Sequence, residues 1–295
     1  MRGLRFRQVD VFTSVPFRGN PVAVVLDAGG LDTAQMQRIA NWTNLSETTF
    51  VVPKASDEAD YAVRIFTPAS ELPFAGHPTI GTAHALLEAG VVSPRDGRLV
   101  QECAAGLVRL EIDEAAGVER SIAFELPPAD VRELTDAQAM ELAAILGTGL
   151  APTVRPRLVD VGPRWVVAQL PGAAAVIEAR PDLQRMKVHD LALGTTGVIV
   201  FGEHPPGAGA AVEVRAFAPS CGIDEDPVCG SGNGCMAVFI RETGQAGRFG
   251  ERFVATQGRV VGRDGRLRID LGRDRVRVGG AAVTCIEGTI SVPAP

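Results

Sequence analysis

Arg64-Ile-Phe-Thr-Pro68, followed by Ala75-Gly76 and an apolar stretch, is met again as Arg215-Ala-Phe-Ala-Pro219, followed by Cys229-Gly230 and a second apolar stretch. The two arginines are 151 residues apart (215 − 64). Upstream, Asp10-Val-Phe with Pro21-Val-Ala-Val-Val matches Asp160-Val-Gly with Arg164-Trp-Val-Val-Ala, and the aspartates are 150 apart (160 − 10). Two agreeing offsets point to a duplicated chain, and long-period self-similarity decides a fold before any single element does. Chance likeness between strand-loop-helix units is the other source of such a match. Pro127-Pro128 and the polar residues after it suit a link, so the halves are expected at 1–127 and 128–295, with the last strand able to return to the first half.

The elements around these anchors follow from local pattern. Gly3 to Phe12 alternates and is rich in strand formers, and a turn at Pro16 to Asn20 leads into Pro21 to Leu26, so two paired strands are expected. Asp32 can cap a helix from Thr33 to Trp42, with Gln35 closing a capping box and Leu31 stapled onto Met36. Thr48 to Val52 and Tyr61 to Phe66 read as strands. A helix fits Pro78 to Ala89, with proline in its first turn and Gly90 past its end. Further helices fit Asp136 to Leu146 and Ser231 to Thr243. Strands dominate Leu99 to Glu125, Arg157 to Gln169, Thr196 to Phe201 and Phe249 to Val292. Many strands and few helices define an α+β fold rather than an alternating βα one. Trp42, Trp165 and most phenylalanines are assigned to the core.

With 295 residues, 46% hydrophobic and 22% charged, the chain can bury one large core or two medium ones. A net charge of −6 with interspersed signs gives no basic stripe, which argues against nucleic acid or an anionic membrane as partner and favours a small molecule. Five cysteines, an odd number without a CxxC pair, read as reduced thiols in a cytoplasm. The start, MRGLRFRQVDVF, lacks an apolar targeting region, and no run of about 18 apolar residues follows. Four scattered histidines at no ligand spacing give no metal site.

Both repeats place glycines just before a helix, in Phe74-Ala-Gly-His-Pro-Thr-Ile-Gly81 and in Asp226-Pro-Val-Cys-Gly-Ser-Gly-Asn-Gly234. A helix start presents unpaired N–H groups and a positive dipole end, and glycine admits a ligand to the backbone, so each segment can hold a carboxylate. Neither matches a dinucleotide fingerprint or a phosphate loop.

Four segments in order, DVFTSVPFRGNPVAVV (10–25), NLSETTFV (44–51), TPASELPFAGHPTIGTAHAL (67–86) and APSCGIDEDPVCGSGNG (218–234), resemble the phenazine-biosynthesis PhzF-like proteins of the diaminopimelate epimerase-like fold. The resemblance covers most of the chain. It implies two pseudo-symmetric halves, each a barrel-like sheet around a central helix, with the active site between them and a homodimeric assembly. It also implies a cofactor-independent isomerase acting on a small carboxylate such as trans-2,3-dihydro-3-hydroxyanthranilate. Glu47 then matches the general acid/base, which needs a pKa raised by burial or a like charge to take a proton from carbon. His77 matches a substrate-contacting or proton-relaying histidine, with helix capping as its plainer role. Asp226 matches a catalytic aspartate that binds a polar substituent of the substrate and assists proton transfer, or else simply forms the turn before Pro227. Asn20, Gly76, Gly230 and Ser231 match substrate-holding positions.

Cys229 departs from the family, which more often has threonine there. It reads either as a thiol near the substrate with a pKa lowered by the helix start or as a small filler. Related racemases use one cysteine before each helix, whereas the first such position here is Ala75. A racemase or epimerase using Cys229, and a non-catalytic ligand-binding protein, remain the two other readings. The set Glu47, His77 and Asp226 argues against the second of these, since a mere binder needs no base beside an acid.

Overall fold

A computed structural model describes residues 1–114, 119–272 and 275–293. The portions of the strand-rich stretches at 115–118 and 273–274 lie outside the described residues. The chain divides into two compact units, Met1–Glu125 with Gly279–Pro295, and Leu126–Val278.

In the first unit, β1 (Arg2–Val11) and β2 (Asn20–Val25) form an antiparallel pair, and α1 (Thr33–Thr43) crosses to β3 (Glu47–Val52), which lies parallel to β2. β4 (Tyr61–Phe66) runs antiparallel to β3, and β5 (Glu71–Leu72) folds back on β4. Then comes α2 (Gly76–Glu88), whose following strand β6 (Arg98–Cys103) pairs parallel with β4. β7 (Gly106–Asp113) and β8 (Ser121–Glu125) complete an antiparallel meander.

The second unit opens with β9 (Asp130–Glu133) and α3 (Asp136–Leu146) and then runs through the same sequence of moves. β10 (Arg157–Asp160) and β11 (Arg164–Gln169) are antiparallel. Two helices, α4 (Ala173–Glu178) and α5 (Leu183–Leu193), lead to β12 (Gly197–Glu203), which is parallel to β11. β13 (Val212–Ala218) is antiparallel to β12, and β14 (Ile223–Asp226) folds back on it. After α6 (Gly230–Glu242) and the short α7 (Ala246–Phe249), β15 (Arg252–Gln257) lies parallel to β13 and β16 (Gly265–Leu271) antiparallel to β15. β17 (Val276–Gly280) carries the chain back to the first unit, where β18 (Ala282–Val292) pairs antiparallel with β1.

The duplication is visible in matched side chains as well as in matched strands. Asp10, next to last in β1, and Asp160, last in β10, each accept an N–H from the turn that follows, Gly19 at 2.9 Å and Gly162 at 2.9 Å. Arg64 on β4 pairs with Glu71 on β5 and lies over Phe66; Arg215 on β13 pairs with Glu225 on β14 and lies over Phe217.

In each unit one helix is nearly all core. Gly76 through Leu86 of α2 are buried, and the helix packs on β1, β2, β3, β8 and β18. In α6, Gly232 through Ile240 are buried against β10, β11, β12 and β16. Such a helix is mostly apolar or small on every side. Gly81 shows why: a Cβ there would stand 2.3 Å from Cγ1 of Val22.

The other helices are only partly buried, and α1 shows a distinct buried stripe. Met36 and Ala40 of α1 join Leu31, Phe50 and Phe66 in one cluster, and Asp32 with Gln35 closes the expected capping box. Trp42 departs from its expected core position: it is 79% exposed, because Met36 and Ala40 define the buried stripe of α1 and Trp42 falls outside it. Trp165 is buried as expected. Among the described residues no helix is long and apolar enough to cross a membrane.

Candidate active site

Glu47 is placed by a three-residue turn. Asn44 ends α1 in the left-handed region at φ 55°, a conformation asparagine tolerates better than most residues, and Leu45-Ser46 then deliver Glu47 as the first residue of β3. A hydroxyl contact between Thr43 and Thr48 at 2.9 Å ties the two sides of that turn. Register fixes the rest, with Glu47 opposite Val22 on β2.

His77 lies in the first turn of α2, held against the same strand by buried hydroxyls. The single hydroxyl hydrogen of Thr82 is shared between Pro78 O at 2.7 Å and Thr49 Oγ1 at 2.8 Å, and Thr49 donates to Ala23 O at 3.3 Å. The helix starts on Ala75, whose methyl cannot cap, so the cap position is not His77. Gly76 is required by packing whatever its part in binding, since a Cβ there would lie 2.5 Å from Cζ of buried Phe124.

The structure thus brings Glu47 and His77 together, Oε2 to Nε2 at 3.3 Å. The Glu47 side chain keeps 16% of its exposure, but Oε2 itself is shut off from solvent and makes no well-aligned hydrogen bond among the described residues. Burial therefore raises its pKa from 4.5 to about 7, against a smaller opposing effect of the Ser46 hydroxyl. A carboxyl titrating near neutrality beside an imidazole can both take and return a proton at working pH. Asn20 is in the same unit, buried at the start of β2 opposite Val11.

The raised pKa has a consequence for stability. Between 4.5 and about 7 the unfolded chain releases this proton while the folded protein keeps it, so stability falls as pH rises through that window. The full effect above pH 7 is about 3 kcal/mol. Urea unfolding at pH 5 and pH 8 is expected to show this loss in the wild type and its absence in Glu47→Gln; equal slopes in both proteins would refute the burial argument.

Asp226, Cys229, Gly230 and Ser231 lie together in the second unit, from the end of β14 to the first turn of α6. Asp226 Oδ1 accepts the N–H of Val228 at 3.0 Å, the turn-forming role foreseen for it. Cys229 occupies the N-cap position of α6, the counterpart of Ala75 before α2, and its Sγ accepts the N–H of Gly232 at 3.3 Å. Trp165 Nε1 donates to Ser231 Oγ at 3.1 Å, and the same hydroxyl lies 3.6 Å from Cys229 Sγ.

The expectation of a lowered Cys229 pKa is not met. Burial, with the nearby Asp226 charge adding to it, pushes the thiol well above its usual 9.0, and this outweighs the hydrogen bonds from the helix start. With Ala75 at the first N-cap and a neutral thiol at the second, two opposed thiolates cannot form. Cys229→Ala is therefore expected to keep kcat within about tenfold while costing ~1 kcal/mol of stability through the lost cap. Cys229 should also resist alkylation at pH 7 while exposed Cys221 reacts. A kcat collapse in Cys229→Ala would reinstate the thiol.

Sequence reasoning missed the residues that hold these groups. Thr49, Thr82 and Gln101 serve the first unit, and Trp165, Asn233 and Gln257 the second; a polar residue inside a strand or helix gives no local sign that it is buried and paired.

A duplicated α+β unit with a glycine-bearing helix start in each copy, and a buried carboxyl–imidazole pair in the first, matches the diaminopimelate epimerase-like fold, and the family it belongs to makes the class an isomerase. The chain belongs to the phenazine biosynthesis-like family, whose model matches residues 9–288. It is similar to antisense-enhancing sequence 1 of Schizosaccharomyces pombe, 42% identical over 96% of this chain and 97% of that one. It is also similar to the trans-2,3-dihydro-3-hydroxyanthranilate isomerase of Pseudomonas chlororaphis, 36% identical over 96% and 97%. A crystal structure of a PhzF-family protein from Bacillus anthracis superposes with TM-score 0.85 at 24% identity, covering 99% of this chain and all of that one.

Proposed function

We propose that this chain is a cofactor-independent isomerase that moves a proton on a small cyclic carboxylate such as trans-2,3-dihydro-3-hydroxyanthranilate, with Glu47 as the general acid/base. The observation that carries this reading is the buried Glu47 carboxyl 3.3 Å from His77, its pKa raised to about 7. Glu47 takes the proton from carbon as carboxylate and returns it elsewhere on the same molecule as acid. His77 contacts the substrate or relays the proton. Asp226 and Ser231 bind polar substituents, while Asn20 and the helix starts at Gly76 and Gly230 hold the carboxylate. Homodimerisation, which light scattering would test, and a cytoplasmic setting belong to the same reading.

The test is deuterium incorporation followed by NMR, with purified protein dialysed against chelator and that compound as substrate in heavy water. Labelled, isomerised product is expected. A silent wild type would remove this substrate, and turnover needing an added metal or cofactor would overturn the mechanism.

A further inference from the structure

We propose that Gln257 is a positioning residue for the second unit's share of the site, acting through the loop that carries Asp226 and Cys229 and leads into Ser231. The inference rests on the proposed function above. Gln257 is the last residue of β15 and is buried. Its Oε1 accepts the N–H of Cys229 at 3.1 Å and Nδ2 of Asn233 at 2.7 Å, while its Nε2 donates to the carbonyl of Asp226 at 2.8 Å. One amide therefore joins both ends of the Asp226–Cys229 loop to the first turn of α6.

The loop is shaped to rest on this residue. Asn233 Nδ2 also reaches the carbonyl of Cys229 at 2.9 Å, so the helix start and the amide share donors. Beside Gln257, Gly258 takes φ +99°, and a Cβ there would lie 2.6 Å from the Pro227 carbonyl. From the other side Val228 fills the place of a side chain at Gly265, where a Cβ would lie 2.4 Å from Cγ2 of Val228. Backbone and side chain at Pro227-Val228 are thus packed on both sides, and Gln257 supplies the polar contacts.

The duplication separates this role from ordinary core satisfaction. Gln101 occupies the matching strand β6 and is also buried, donating to Thr79 Oγ1 at 2.9 Å and accepting from Tyr61 at 3.1 Å. Thr79 is the fourth residue of α2 as Asn233 is the fourth of α6, so both glutamines engage the same place on their helix. The contacts of Gln257 to Cys229 N and Asp226 O are additional, and they lie on the unit whose helix start carries Cys229 and Ser231.

The test replaces Gln257 with methionine, similar in size and without the amide, and with glutamate, which keeps the acceptor for Cys229 and Asn233 but loses the donor to Asp226. Amide hydrogen exchange over Val228–Gly232 is expected to quicken about tenfold or more in Gln257→Met while exchange in α2 stays as in the wild type. At equal folded fraction, kcat on trans-2,3-dihydro-3-hydroxyanthranilate is expected to fall about 100-fold with KM changed by less than ~3-fold, the pattern of misplaced rather than missing binding groups. Gln257→Glu should recover part of that loss, which distinguishes positioning from loss of fold and serves alone if the methionine protein does not fold. Unchanged exchange in the loop, or quickened exchange with unchanged kcat, would overturn the inference. If the wild type is silent on this compound, the substrate reading has failed and the exchange result alone decides for or against Gln257. If Glu47→Gln turns over normally, the acid/base reading fails independently of Gln257.

Discussion

Glu47→Gln is expected to lower kcat by about 10²–10⁴-fold, the usual share of a positioned general acid/base, or ~3–5 kcal/mol of barrier. The amide has the volume of the carboxyl, so β3, its register with β2 and the Thr49–Thr82 contacts should survive. What it cannot do is accept a proton from carbon at neutral pH. Because the carboxyl titrates near 7, the wild-type rate should rise with pH through that value as the base form accumulates, and the residual rate of Glu47→Gln should lack that limb. The variant should at the same time gain stability at pH 8, since the buried charge is gone. Activity and stability moving in opposite directions is the signature of a group held in an unfavourable state for function. Deuterium incorporation within about tenfold of wild type would exclude Glu47 as the base.

How far the sequence carried this picture depends on which property was needed. The duplication could be read from two pairs of anchors, because Asp10 and Asp160 close equivalent turns and Arg64 and Arg215 make equivalent ion pairs. Helices α1 and α2 were legible from their end signals, and α3 and α6 were expected close to where they lie. By contrast α4 and α5 were not foreseen: α5 leaves Val188 and Leu191 exposed, which blurs its periodicity, and two helices here replace the single α1 of the first unit. Trp42 was misplaced for a related reason, since residue type was weighed above its angle on the helix.

For the candidate site, the motifs singled out Glu47, His77, Asp226 and Cys229, but no pattern gave their electrostatics. The same burial that raises the Glu47 pKa to about 7 keeps Cys229 a thiol, and burial is a property of packing. Gln101 and Gln257 were hidden inside strands. Only their common place in the repeat, seen with Thr79 and Asn233, would have marked them.

Arg215→Met is expected to be the most destabilising of the substitutions argued here, at about 3–5 kcal/mol, and the matching Arg64→Met to cost about 1 kcal/mol or less. Both arginines are bidentate to a glutamate on the returning strand and both lie over a phenylalanine ring. They differ in burial: the Arg215 and Glu225 side chains are 5% and 10% exposed, against 30% and 32% for Arg64 and Glu71. Arg215 also donates to the carbonyls of Val176 and Ala179 at 3.1 and 2.7 Å, satisfying the end of α4. Removing it takes the partner from the largely enclosed Glu225 carboxyl and strands those carbonyls, whereas water can replace most of what Arg64 provides. Urea midpoints of the two variants measure the contrast; equal losses would show that burial is not what separates the two copies. The effect should reach the chemistry as well, because Glu225 precedes Asp226 on β14 and β14 is held to β13 at Ala216 opposite Asp226. A loosened β14 lets Asp226 drift, so Arg215→Met should lose kcat beyond its loss of folded protein, while Arg64→Met, whose partner Glu71 lies on β5, a strand with none of the proposed site residues, should not.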